Sequence, residues 1–169
     1  MSDRRDAIMD VAERLIRSHG YSGFSFREIA KEVGIKSASV HYHFPTKADL
    51  ASAVAKRYRE RIAETLQTAE DKGEDRVAAW RDVFQTALER DGLMCLCGIL
   101  AVEGDSLPPE VAKEALAFLE FGIASLDTAV EGQGACILSQ LEGAMLLSRS
   151  AGNVEIFKAA TRDLPIAKT

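Results

Sequence analysis

Residues 24–50 read FSFREIAKEVGIKSASVHYHFPTKADL, and this stretch decides the fold. Ser25 and Glu28 stand three apart, the spacing of a capping box, so a helix is expected to open at Phe26. Ile29, Ala30 and Val33 give that helix an apolar face, and Gly34 supplies the left-handed residue that ends it. Only Ile35 and Lys36 precede Ser37, expected to cap a short helix over about Ala38–Phe44 that Pro45 must end. Thr46 and Asp49 then offer another capped start. A longer helix is expected from Lys47 to about Asp71, with Leu50, Val54, Tyr58, Ile62 and Leu66 at helical spacing. Two helices joined by a tight glycine turn make a helix-turn-helix pattern. Ala30, Val33, Ile35 and Val40 would pack the pair together. The outer side would present Lys36, Ser37, Ser39, His41, Tyr42 and His43, groups able to reach phosphates and base edges in a major groove.

Outward from this stretch the periodicity stays helical and no strand-like alternation with hairpin chemistry appears. Ile8, Val11, Ala12, Leu15 and Ile16 stripe a helix over 4–19 that Gly20 ends. Beyond Gly73, helices are expected at about 75–90, 93–103, 109–131, 135–151 and 154–163, separated by glycines and by Pro108-Pro109. The fold class is therefore all-α.

The 169 residues suffice for one good core, or for a small module on a larger helical body. At 47% hydrophobic and 28% charged, the chain has the composition of a folded domain and not of a disordered one. The longest uncharged apolar run, Leu93–Val102, falls well short of the roughly 20 residues that span a bilayer, so no membrane role is expected. The polar start MSDRRDAIMD predicts no secretory signal, and three cysteines predict no disulfide framework, so a cytoplasmic protein is expected. Charge is uneven along the chain. Residues 1–62 carry 12 Lys/Arg against 8 Asp/Glu, and the remainder carries 9 against 18. A basic module that meets a polyanion, attached to an acidic body, accounts for that asymmetry.

The stretch 24–50 resembles the DNA-binding signature of the tetracycline-repressor (TetR) family of bacterial transcription regulators. The resemblance rests on the S-x-R-E-I-A helix, the glycine turn, the Y-H-F run and P-x-K-x-x-L, and it extends over about residues 6–60. It implies an N-terminal helix-turn-helix DNA-binding domain of three helices, 1–46, and a C-terminal helical ligand-binding and dimerisation domain, 47–169. It implies that Ser37, Ala38, Ser39 and His41 sit at or near the bases. Tyr42 and His43 fall on an aromatic pair that meets the DNA backbone or thymine methyls, and Lys47 on a lysine that meets a phosphate. Ser25 and Arg27 open the second helix, where a hydroxyl and a guanidinium can hold phosphates. Ser25 stands where threonine is commoner, and Lys36 where serine is. His41 and His43 are two apart on a helix and point away from each other, so no metal is expected there.

One such module reads few base pairs, so a homodimer on a two-fold, palindromic operator of double-stranded DNA is expected. Segments 109–131 and 135–151 are the candidate interface, with Phe118, Leu119, Leu126, Leu138, Leu141 and Met145 as contact residues in a four-helix bundle. The resemblance also implies a small-molecule effector that releases the DNA. Its pocket would be lined by Trp80, Phe84, Leu88, Cys95, Leu96, Leu100, Phe118 and Phe121. The segment Cys95-Leu96-Cys97-Gly98 is similar to one used by thiol-sensing relatives, so a repressor that senses oxidants or electrophiles through Cys95 or Cys97 is the alternative. No Lys or Arg lies within four residues of either cysteine to activate it, and Cys136 is expected in the core. No P-loop, dinucleotide fingerprint, zinc-protease motif or nucleophile elbow is present, so neither an enzyme nor a cofactor is expected. The expected function is a ligand-responsive repressor of transcription.

Overall fold

The computed structural model describes residues 2–165. Nine α-helices follow one another among these residues: α1 (Ser2–His19), α2 (Phe26–Val33), α3 (Ser37–His43), α4 (Lys47–Asp71), α5 (Arg76–Asp91), α6 (Leu96–Glu103), α7 (Pro109–Asp127), α8 (Gly134–Ala151) and α9 (Glu155–Ala160). A 3-10 turn, Gly104–Ser106, follows α6, and no strand occurs among the described residues.

The chain divides into two compact units. One comprises residues 1–58 with 96–116, the other 59–95 with 117–169. The division cuts α4 and assigns α6 to the same unit as the first three helices.

In the first unit the helix boundaries follow local chemistry. Ser25 Oγ accepts the Glu28 N–H at 3.2 Å and donates to the Glu28 carboxylate at 2.8 Å, closing the capping box. Gly34, at φ +75°, donates its N–H to the Ala30 carbonyl, and the Ile35 N–H joins it there at 2.9 Å. That positive φ suits glycine and lets α2 stop within one residue. Thr46 and Asp49 form a second complete box ahead of α4: Asp49 accepts the Thr46 N–H and hydroxyl, and Thr46 Oγ1 accepts the Asp49 N–H. One expectation fails. Lys36, not Ser37, is the N-cap of α3, in extended conformation and without a side-chain cap. The Ser39 N–H bonds the Lys36 carbonyl at 2.8 Å, so the helix begins one residue earlier and Ser37 becomes its first helical residue. Ile8, Ile16, Ile29, Val40, Leu50 and Val54 form the buried centre of this unit.

The second unit is built around Trp80, Phe84, Phe118, Leu126, Leu141 and Phe157, all essentially without exposure. The Trp80 indole N–H donates to Ser125 Oγ at 3.0 Å, which satisfies the one polar atom of that ring. Helix α7 stops at Asp127, four residues before the expected end, because Asp127 Oδ1 turns to accept the Gly134 N–H at 2.6 Å and so caps α8. Leu93–Cys95 stay outside α6: the Leu93 N–H is taken by Asp91 Oδ1 and the Cys95 N–H points at Met145 Sδ, 3.0 Å away. Helix α9 is likewise shorter than the expected 154–163.

Candidate nucleic-acid interface

Helix α3 is too short to hold itself; packing fixes it. Val40 has no exposed surface and anchors its inner side. The next residues along the chain are thereby turned outward. Tyr42 is 78% exposed, an unusual position for a phenol ring. Lys36, Ser37, Ala38 and His41 are exposed, and Ser39 and His43 are half-buried. The His43 ring meets the Tyr42 ring edge-on at 5.3 Å. His41 packs edge-on against Phe26 of α2 at 4.7 Å, and its Nδ1 lies 3.4 Å from the Pro45 carbonyl. That imidazole therefore ties α3 to α2 as well as facing solvent. At the opening of α2, Ser25 and Arg27 are both exposed.

Lys47 is placed differently. Its ammonium sits 4.4 Å from the Phe24 ring and 4.7 Å from the Tyr21 ring, a cation over two aromatic faces. Burial pushes its pKa below the usual lysine value, and the Glu103 and Glu28 carboxylates partly oppose that shift. Tyr21 is shifted upward by burial first, then by Glu110 and Glu103. The Glu103 carboxylate, at the end of α6, accepts the Tyr21 N–H and, at 3.2 Å, the Ser22 hydroxyl. Sequence reading found Lys47 but neither its aromatic cage nor Glu103. The Gly20-Tyr21 pair was a local signal for the cage, whereas nothing marks a carboxylate about 80 residues away as its neighbour. Ser25, Arg27, Lys36, Ser37, Ala38, Ser39, His41, Tyr42, His43 and Lys47 all belong to the first unit.

The body residues fall out less as expected. Of the named pocket residues, Trp80, Phe84, Cys95 and Phe118 are buried in the second unit, Phe121 is half-buried there, and Leu96 and Leu100 are buried in the first. Leu88 lines a cavity of about 360 Å³, together with Glu89, Gly92, Ser148, Arg149 and Gly152. The named dimer contacts need correction. Phe118, Leu126, Leu138, Leu141 and Met145 fill the chain's own core, so they have no surface left to bury against a second copy; Leu119 is half-buried. The large apolar side chains left exposed on α8 are Leu146 (54%) and Leu147 (59%). Cys136 is exposed and not core. Cys95 and Cys97 have no exposed surface, which denies a dissolved oxidant or electrophile access to either thiol. The Cys95 thiol also lies beside the Glu142 carboxyl, and an anion there repels a thiolate.

No described helix is long and apolar enough to cross a membrane. Residues 8–54 match the family described as bacterial regulatory proteins, tetR family. Over 92% of each chain, the fold superposes with a TM-score of 0.83 and 31% identity on the crystal structure of a TetR transcriptional regulator from Legionella pneumophila. The sequence is 29% identical to the HTH-type transcriptional regulator LmrA of Bacillus subtilis (strain 168), with 89% of both chains covered. It is also 34% identical over 97 residues to the HTH-type nicotine-responsive transcriptional repressor HdnoR of Paenarthrobacter nicotinovorans, a match that spans 56% of this chain and 50% of that one.

Proposed function

The chain belongs to the TetR family of DNA-binding transcription regulators, which are not enzymes, and from that premise we propose that it is a homodimeric, ligand-responsive repressor working in the cytoplasm. The observation that carries this reading is the outward face of α3: Val40 is fully buried while Tyr42, two residues on, is 78% exposed. A solvent-facing phenol flanked by serines, histidines and Lys36 costs solubility and offers nothing to the core. It suits a groove lined with base edges and sugar-phosphate. Ser25 and Arg27 lie at the start of α2, and Lys47 stands with its ammonium held between two rings, where a phosphate oxygen can approach it.

A single reading head needs a twin, and α8 offers the surface for one. Cys136, Ser139, Gln140, Leu146, Leu147 and Ser150 are exposed and, with Gly143 between them, run along α8 at spacings of three and four, one helical stripe. Gly143 lies on the same stripe with nothing in front of the position a Cβ would take. Small residues flanked by leucines let two helices approach closely. The proposed dimer contacts are therefore on this stripe, and the two heads would read half-sites roughly 34–36 Å apart, or a multiple of that. Ligand response is supported by the nicotine-responsive relative and by the cavity at Leu88.

Selection of bound oligonucleotides from a random pool tests the DNA reading. A palindromic consensus is expected, and a pool that never enriches at low salt defeats the proposal. Light scattering tests the dimer: a mass near twice 18.4 kDa is expected, and Leu146→Glu should halve it.

A further inference from the structure

Lys47 opens α4 and stands half-buried, with its ammonium 4.4 Å from the Phe24 ring and 4.7 Å from the Tyr21 ring. Partial burial works against the charge, and two carboxylates support it, Glu103 ahead of Glu28. The two are differently placed. Glu28 belongs to the capping box of its own helix, where its carboxylate accepts the Ser25 hydroxyl at 2.8 Å. Glu103 is the last residue of α6. Its carboxylate reaches the link between α1 and α2, where it accepts the Tyr21 N–H and, at 3.2 Å, the Ser22 hydroxyl. Tyr21 thus takes a backbone bond from Glu103 and offers its ring to Lys47.

An ammonium gains affinity for DNA by exchanging its mobile counterions for phosphate oxygens. A carboxylate tied down by two hydrogen bonds is a counterion that cannot leave. It satisfies part of the ammonium's attraction in advance, and it repels the incoming phosphate as well.

We propose that Glu103 restrains the DNA-binding head: fixed beside Tyr21, its carboxylate competes with the operator phosphate for the Lys47 ammonium and holds affinity below what the head would otherwise reach. The inference rests on the reading of Lys47 as a phosphate contact. Glu103 is then a positioning residue that acts through Lys47 and need not touch the nucleic acid. A regulator that must leave its operator gains from such a brake, because weaker complexes mostly dissociate faster.

Fluorescence anisotropy of the full chain with a labelled duplex of mixed sequence, from about 50 to 200 mM salt, tests this, since phosphate contacts supply non-specific binding too. Glu103→Gln keeps a carbonyl oxygen for the Tyr21 N–H and removes the charge. It tightens binding about threefold at the lowest salt and steepens the salt dependence. Lys47→Met weakens binding and flattens that dependence by a slope of about 1 per head. In the Lys47→Met chain, Glu103→Gln changes affinity by less than about 1.5-fold, because the partner of its charge is gone. Asp105, exposed two residues further on, is the control: Asp105→Asn removes the same charge with a smaller effect. The inference is overturned if Glu103→Gln leaves affinity unchanged or lowers it, if its gain survives in the Lys47→Met chain, or if Asp105→Asn tightens binding equally. Where Lys47→Met weakens binding and Glu103→Gln does nothing, the inference falls alone. Where Lys47→Met binds as the native chain does, the phosphate reading of Lys47 falls with it.

Discussion

The α2–α3 pair and helix α8 are both helical surfaces with a buried side and a polar complement, yet they handle that complement in opposite ways. On and beside α2 and α3 most polar side chains face water, and several meet near neighbours. Ser25 is held by Glu28, Thr46 by Asp49, and His41 lies against Phe26 and Pro45. On α8 Glu142 is turned inward beside the Cys95 thiol, and the buried Ser148 hydroxyl has no partner. An outward polar face waits for a macromolecule that arrives from solvent. The two regions thus differ in where polar groups are left: at the surface on α3, in the interior on α8.

The largest effect that would break this contrast is expected at Trp80. Trp80→Ala should lower unfolding stability by about 3–5 kcal/mol in a denaturant titration, because a fully buried ring leaves a cavity. A loss below about 1 kcal/mol would show that the second unit is loosely packed.

Next in size is the pH response of Glu142. Burial, partly offset by the Cys95 thiol beside it, raises its pKa from the ordinary 4.5 to about 7. The folded chain then holds this proton more tightly than the unfolded one. Stability from the group is full below about pH 4.5 and is lost as the pH rises through about 7. The loss amounts to about 3 kcal/mol. Glu142→Gln should flatten the stability-versus-pH curve over that window, and an unchanged curve would assign the titration to another group.

Tyr42→Ala sharpens the contrast from the other side. Operator affinity should fall by about 1–3 kcal/mol while the melting curve stays within the scatter of surface substitutions. The reverse pattern, stability lost and DNA binding kept, would make Tyr42 a packing residue. Smallest is the cap: Ser25→Ala should cost about 1 kcal/mol of stability, and circular dichroism melting measures it.

How much of this was legible depended on sequence distance. The capping boxes at Ser25 and Thr46, the stop at Gly34 and the inward Val40 all lie within four residues of their causes, and the reading of α2 to α4 followed them closely. The Ser37 cap was misplaced by one residue because Lys36 and Ser37 can each precede a helix, and backbone hydrogen bonding at Ser39 decides between them. The early end of α7 was hidden because Asp127 caps a helix that begins seven residues later. Apolar stripes on α7 and α8 announce burial but not what they pack against, which is why Leu126 and Leu141, core positions, read equally well as interface. The aromatic cage of Lys47 and the buried Glu142 depend on side chains brought together from distant segments, and no local pattern encodes them.

Glu103 carries one more lesson. Its carboxylate, at the tip of α6, accepts the Tyr21 N–H and the Ser22 hydroxyl, so that tip and the link after α1 meet. Anyone grafting this head onto a foreign sensor would have to transplant 96–116 together with 1–58, because the first fragment alone would leave the Tyr21 amide without its acceptor. The portable part of the protein is discontinuous in the gene, although its recognition motif is not.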